Sequence, residues 1–172
     1  MAAEQPYGPD DVERIVVYGS QVTVDHVGWK YRPAGLTAAQ LNLPFCVATL
    51  LLEGDVFVDQ FPESCVNDPR RMALAEKVEV RHDPDITARG PRYRHMVRVE
   101  LELKDGTRLV RTVEAPRGSE QKFATEAEVV EKFEKLARHV LAARQVEALR
   151  DAVLGLEKLE DSTALAQLLA RT

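Results

Sequence analysis

Histidine and cysteine are the residue types in this sequence best suited to acid–base or nucleophilic chemistry. The histidines are His26, His82, His95 and His139. None of them has a second histidine or a carboxylate at the spacing of a motif such as HExxH. Cys46 and Cys65 form no CxxC pair and belong to no cysteine–histidine pattern typical of zinc. The sequence therefore predicts no metal site and two reduced cysteines, at least one of them in the core.

Arginine has a clear chemical use as well, because a guanidinium binds a carboxylate through two parallel hydrogen bonds. Arg89, Arg92 and Arg94 surround Tyr93 in a predicted loop, and Arg117 follows a proline in a second loop. Two interpretations remain open for each: a solvated surface side chain, or a contact to a carboxylate ligand. No GxSxG, GxGxxG or P-loop sequence occurs. On motifs alone, the chain lacks an obvious active site.

Composition excludes several classes of partner. The 172 residues carry a net charge of −5, and no basic stripe is present to neutralise nucleic-acid phosphates or an anionic membrane. No apolar run approaches the roughly 20 residues needed to span a bilayer. The first residues are acidic and contain proline, unlike a signal peptide. We therefore expect a cytoplasmic protein that binds neither nucleic acid nor membrane.

The first half of the chain predicts a strand followed by helices. Residues 14–20 are rich in β-formers, whereas residues 21–35 favour neither helix nor strand clearly. Thr37 and Gln40 have capping-box spacing, and an apolar helix through Leu52 follows, stopped by Gly54. Pro44 either kinks this helix or makes it restart with Asn42 as its cap. Residues 47–52 are apolar nearly all round, which predicts burial on every side.

The second half predicts three strands and then more helices. Asp68 caps a short helix at 70–75, and strands are expected at 77–82, 95–104 and 108–114, the last two joined by an Asp105-Gly106 hairpin. Thr125 begins an amphipathic helix, with Val129, Phe133, Leu136 and Val140 expected to face inward. Further helices are expected near 143–156 and 162–170. The order predicts an α+β fold: a small antiparallel sheet packed against helices, with a C-terminal helical segment.

Several short blocks along the chain occur in a familiar order. They are AAQLNLPFCVA at 38–48, LLEG at 51–54, LKDGT at 103–107, PRG at 116–118, EKF at 131–133, LEKLED at 156–161 and LAQLL at 165–169. In their order and spacing, these blocks resemble the small C-terminal domain of the MmgE/PrpD family. The resemblance covers nearly the whole chain and implies a lead-in at 1–10 and one lid-type domain at 11–172.

The resemblance implies chemistry on small carboxylates. The family includes 2-methylcitrate dehydratases, cis-aconitate decarboxylases and iminodisuccinate epimerases, which act on di- and tricarboxylates by proton abstraction or elimination, without a metal or cofactor. Such enzymes combine a large helical domain with a smaller α+β lid. Their Lys/His motifs, including a K-x-Y-P-x-C-x-x-x-H block, precede the region that this chain resembles. No catalytic residue is therefore predicted here, and catalysis by the chain alone is not expected.

Four residues are candidates to face a substrate: Phe45, Cys46, His95 and Arg117. Phe45 takes the place of the tyrosine in the family's L-P-Y block, so this chain lacks a hydroxyl that could hydrogen-bond a carboxylate.

The leading hypothesis is a small subunit or detached lid that completes a polycarboxylate site on a separate helical subunit. The alternatives are a non-catalytic binding or regulatory descendant, and a stand-alone domain with a new activity in natural-product metabolism. Assembly with a helical subunit or as a homodimer is expected, through residues 41–45 and the loop holding Phe57 and Phe61.

Overall fold

The computed structural model describes residues 7–170, and the predicted lead-in at 1–10 lies partly outside this range. The chain divides into two compact units, Met1–Pro116 and Arg117–Thr172. The first unit holds a sheet with helices, and the second is helical. No helix within residues 7–170 combines the length and the apolar character that a bilayer crossing demands.

The first unit is built on a four-stranded sheet. Its strands are β1 (Val12–Gly19), β2 (Val78–His82), β3 (Val97–Leu103) and β4 (Arg108–Val113), in the order β2-β1-β3-β4. The predicted α+β class is confirmed. The expectation of a purely antiparallel sheet is wrong in one pair, because β1 and β2 run parallel. Helices occupy the chain between these two strands, and such a crossover returns the chain in its original direction.

In the described part of this unit, five α-helices accompany the sheet: α1 (Gln21–Val27), α2 (Leu36–Leu41), α3 (Leu43–Glu53), α4 (Pro69–Ala75) and α5 (Pro84–Ala88). The capping box expected at Thr37 does not form, since Gly35 occupies the cap position of α2. The helix instead restarts at Asn42, whose side-chain oxygen accepts a hydrogen bond from the Phe45 amide at 2.9 Å. The predicted caps at Asp68 and Gly54 are confirmed.

The core lies between the helices and one face of the sheet. Its buried members come mainly from two strands and two helices: Val12, Ile15, Val17, Leu101, Leu103, Phe45, Ala48, Leu74 and Ala75. α3 packs on α4 and β2 but is not enclosed all round, because Leu50 is 43% exposed. The prediction that residues 47–52 are buried on every side is therefore wrong.

The second unit consists of α6 (Glu126–Ala137), α7 (Ala143–Leu154) and α8 (Thr163–Leu169). The predicted capping box is confirmed: the Thr125 amide donates to Glu128 Oε2 at 2.8 Å, and Thr125 Oγ1 accepts from the Glu128 amide at 3.2 Å. The predicted inward face of α6 is largely wrong. Val129, Leu136 and Val140 are exposed, because three short helices bury only a narrow strip of one another.

Candidate functional site

Phe45 lies at the centre of the first unit's core. Its side chain is 0% exposed, and its ring centre lies 4.3 Å from that of Tyr31 and 6.2 Å from that of Phe61. The α3 cap at Asn42 fixes the direction of the ring by starting the helix three residues earlier. The enclosed ring presents no face to a ligand in this structure. Phe61 is also in the core, which disagrees with its expected place on an exposed docking loop.

Tyr31 is the tyrosine nearest to Phe45, but its hydroxyl is already engaged. It donates to the Val66 carbonyl at 2.9 Å. Burial raises the pKa of Tyr31, and the nearby Cys65 adds to the effect. This hydroxyl therefore anchors a core segment and does not replace the one that is missing at position 45.

Cys46 follows Phe45 on α3 and is only partly exposed. Its thiol donates to the Gln40 carbonyl, with Sγ 3.3 Å from the oxygen. Burial raises the pKa of the Cys46 thiol, which keeps it protonated near neutral pH. Cys46 is thus a weak nucleophile, and it is unpaired, as is Cys65.

His95 and Arg117 lie on other elements. His95 precedes β3 and is exposed, and its Nε2 accepts a hydrogen bond from Arg94 Nε at 3.0 Å. Arg117 belongs to the second unit, with its Nη1 3.4 Å from Glu128 Oε1. Among the four predicted site residues, only Phe45 and Cys46 share an element.

Arg71 is a buried cation that sequence reasoning missed. Its side chain is 5% exposed; Nη2 lies 2.8 Å from Glu53 Oε1, and Nη1 donates to the Gln60 carbonyl at 2.8 Å. Its guanidinium carbon lies 5.7 Å from the Phe45 ring centre. Arg71 thereby links α3, α4 and the connection between them. The only sequence signal was its position three residues after the capping Asp68.

A cleft of about 350 Å³ borders β2, α4 and the segment after α1. Apolar side chains make up much of its wall: Tyr31, Pro44, Met72, Ala75, Val78 and Val80. Lys30 and Glu76 also line it, with Lys30 Nζ 3.8 Å from Glu76 Oε1. Its third charged residue, Glu79, accepts hydrogen bonds from Arg81 and Arg14, which lower the pKa of Glu79 to about 2.

The charged side chains in the lining of the cleft are of both signs. Glu79 stays ionised near neutral pH, and its lowered pKa makes it a weak general base as well as a poor general acid there. Lys30 is the cation of this lining, and it already lies beside Glu76. Within residues 7–170, no three histidine, cysteine, aspartate or glutamate side chains are grouped closely enough to hold a metal ion.

Comparison with known proteins places this fold in a defined class. The sequence model of the MmgE/PrpD C-terminal domain matches residues 1–158, so the chain belongs to the MmgE/PrpD family. The family resemblance seen in the sequence blocks is thereby confirmed.

The similar curated proteins are decarboxylases or decarboxylase-like. The cis-aconitate decarboxylase-like protein oryM of Aspergillus oryzae is 28% identical over 164 residues, which are 93% of this chain and 33% of that protein. A cis-aconitate decarboxylase of Aspergillus terreus is 29% identical over 92% of this chain and 33% of its own length. The human cis-aconitate decarboxylase is 28% identical over 98% of this chain and 34% of its own. The chain spans about a third of the length of these relatives.

Proposed function

We propose that this chain supplies the small α+β domain of an MmgE/PrpD-type lyase or isomerase acting on small polycarboxylates, and that catalysis requires a helical unit of the same family. The observation that carries this proposal is the family match, which is to the C-terminal domain and covers about a third of each relative. Because three named relatives are cis-aconitate decarboxylases or resemble one, cis-aconitate is the first substrate to test.

The geometry of the first unit supports a binding and closing role. A small domain that closes over a substrate excludes water and adds the last contacts. The cleft combines Lys30 with Glu76, Glu79 and apolar walls. The lowered pKa of Glu79 makes it a weak base and the raised pKa of Cys46 makes it a weak acid, so both are poorly matched to proton transfer near pH 7. In this proposal the helical unit, on a separate subunit, provides the proton-transfer groups. The two unpaired cysteines fit a reducing compartment such as the cytoplasm.

The test is turnover with and without a helical unit. The purified chain should release no carbon dioxide from cis-aconitate above a buffer control. Mixing or co-expression with the helical portion of a family decarboxylase should produce a complex and restore turnover. Steady-state turnover by the pure chain would disprove the requirement for a helical unit.

One observation favours a second candidate, a non-catalytic binding or regulatory descendant. Phenylalanine stands at position 45 where the family block has tyrosine, and its ring is enclosed in the core, so this position contributes no substrate contact in this structure. In this case the chain would still bind the helical unit, but the complex would convert neither cis-aconitate nor 2-methylcitrate. Size-exclusion chromatography combined with the turnover assay separates the two candidates, because only the first predicts an active complex.

A further inference from the structure

β2 is an edge strand whose outer backbone groups are unpaired. The Ile15 amide donates to the Lys77 carbonyl at 2.9 Å, and the Asp83 amide donates to the Gly19 carbonyl at 2.8 Å. In a parallel ladder this pattern directs alternate residues of β2 toward β1, so the peptide groups of Val78 and Val80 point outward. Within the described part of the chain, these outward groups have no hydrogen-bond partner. An edge of this kind is a template for a further strand.

Open space lies directly beside this edge. The cleft of about 350 Å³ is bordered by Val78, Glu79 and Val80 along the strand. On the other side of the strand lies β1, so an added strand has room only at the cleft edge. Apolar side chains from α4 and the segment after α1 would face the incoming strand.

The sequence of β2, Val-Glu-Val-Arg-His, complements itself when two copies run antiparallel about Val80. In this register Val80 faces Val80 of the second copy, and Val78 faces His82. Both are hydrogen-bonding pairs, because these are the residues with outward peptide groups. Glu79 then faces Arg81 of the second copy in a non-hydrogen-bonded pair, where side chains approach most closely.

The charges on the same face strengthen the match. Glu79 and Arg81 are each about half exposed and lie on the sheet face opposite the core, where Glu79 already pairs with Arg81 and Arg14 of its own chain. A second copy would place its Arg81 beside Glu79 of the first copy, and the reverse. Opposite charges would then face each other on both sides of the contact between the two β2 strands. Opposite charges facing each other across strands stabilise a pair, and like charges destabilise it.

The opposite edge of the sheet lacks this complementarity. Two β4 strands centred on Val110 would set Leu109 against Arg111, and centring on Arg111 would set two arginines against each other. Of these two edge strands, β2 is therefore the one whose sequence suits pairing with a second copy of itself.

We propose that two copies of this chain associate through antiparallel pairing of their β2 strands, with a two-fold axis at Val80. The sheets of the two copies then form one continuous sheet. The contact is isologous and closes as a dimer, since each copy uses the same edge. This surface differs from residues 41–45 and the Phe57–Phe61 loop, where Phe45 and Phe61 are core residues. A second copy at this edge occupies the side of the cleft formed by Val78, Glu79 and Val80, so strand pairing and ligand binding in that cleft are competing uses of one surface. Light scattering tests the pairing separately from the lyase function, because it measures mass and not turnover.

The test uses two variants with opposite charge changes. Light scattering should give the parent chain twice its monomer mass of 19.2 kDa at micromolar concentration. Glu79→Lys sets a lysine against Arg81 of the second copy, and Arg81→Glu sets a glutamate against Glu79, so each variant alone should have the monomer mass. An equal mixture restores both opposite-charge pairs and should recover the doubled mass. Arg108→Glu, on the β4 edge, is the matched control and should keep the parent's mass.

A cysteine variant tests the register of the two strands without relying on charge. Facing hydrogen-bonded residues have Cα atoms about 5.5 Å apart, which suits a disulfide. Val80→Cys should therefore form a cross-linked dimer under mild oxidation, and Val110→Cys on β4 should not. The proposal is overturned if the parent chain is a monomer, or if either charge variant alone stays dimeric. It is overturned equally if the mixture stays monomeric, or if no cross-link forms at position 80.

Discussion

Arg71 places a positive charge among the buried residues of the first unit, where its hydrogen bonds hold three segments together. Arg71→Met removes the hydrogen bonds to Glu53 and to the Gln60 carbonyl, which leaves both groups without their buried partner. Removing one partner from a buried ion pair costs about 3–5 kcal/mol, and Glu53 is partly exposed, so we expect a loss of about 2–4 kcal/mol in urea denaturation.

The adjacent arginine is the control for this change. Arg70 is 65% exposed and pairs with Asp10 at 3.3 Å. Arg70→Met should change stability by less than about 0.5 kcal/mol. Equal effects from the two substitutions would show that Arg71 acts only as a helix residue and not as a link between segments.

Cys46 yields a prediction about reactivity and pH. Because burial raises the pKa of the Cys46 thiol, less thiolate is present at a given pH than in an unfolded chain. Iodoacetamide should therefore modify Cys46 in the folded protein more slowly than in urea, with a rate that keeps rising above the ordinary cysteine pKa. Cys65 is 3% exposed and should react after Cys46. Mass spectrometry of the peptides checks the order, and faster reaction of Cys65 would contradict it.

Among individual residues, the sequence predicted caps better than it predicted contacts. Asn42 and Thr125 were identifiable because a cap bonds to an amide only a few residues away. The buried position of Arg71 was not identifiable, since Glu53 and Gln60 lie 18 and 11 residues from it along the chain. For the same reason, the family motif around Phe45 indicated a position in a block but not the enclosure of its ring by Tyr31 and Phe61.

At the scale of the elements, the β3–β4 hairpin depends on one glycine. Gly106 has φ +87°, and a Cβ at this position would meet no atom within 4 Å. The cost of Gly106→Val is therefore backbone strain alone, about 1–2 kcal/mol for a β-branched residue. Chemical denaturation should show this loss, whereas Lys104→Val, at an exposed neighbouring position, should be nearly neutral. A neutral Gly106→Val would mean that the turn tolerates another conformation.

The hairpin was predictable from sequence and the β1–β2 pair was not, for a physical reason. Asp105 and Gly106 encode their turn locally, through a side-chain bond to the Thr107 amide and a left-handed glycine. β1 pairs with β2 across more than 50 intervening residues, so its direction depends on how the helices between them pack. α1 is a different case, because its cap is local: the Thr23 amide donates to Ser20 Oγ only three residues away.

At the scale of the whole molecule, the family match and the division into units differ in extent. The family match runs to residue 158, whereas the first compact unit ends at Pro116. Every residue of the first unit's core cluster lies at or before Leu109. In the second unit the buried apolar residues are Ala137, Val146 and Leu149, among the residues described. The two units are therefore very unequal in the apolar surface that each buries.

This inequality predicts different behaviour for the two units expressed separately. A fragment of residues 1–116 contains the whole sheet and its core, and its length is enough for an independent fold. We expect it to unfold cooperatively in urea, followed by the fluorescence of Trp29, the chain's single tryptophan. A fragment of residues 117–172 buries too little apolar surface and should show only weak, non-cooperative helicity by circular dichroism. The parent chain is the control for the tryptophan signal. A broad transition for the first fragment, or a sharp one for the second, would show that the core of this chain is not confined to its first 116 residues.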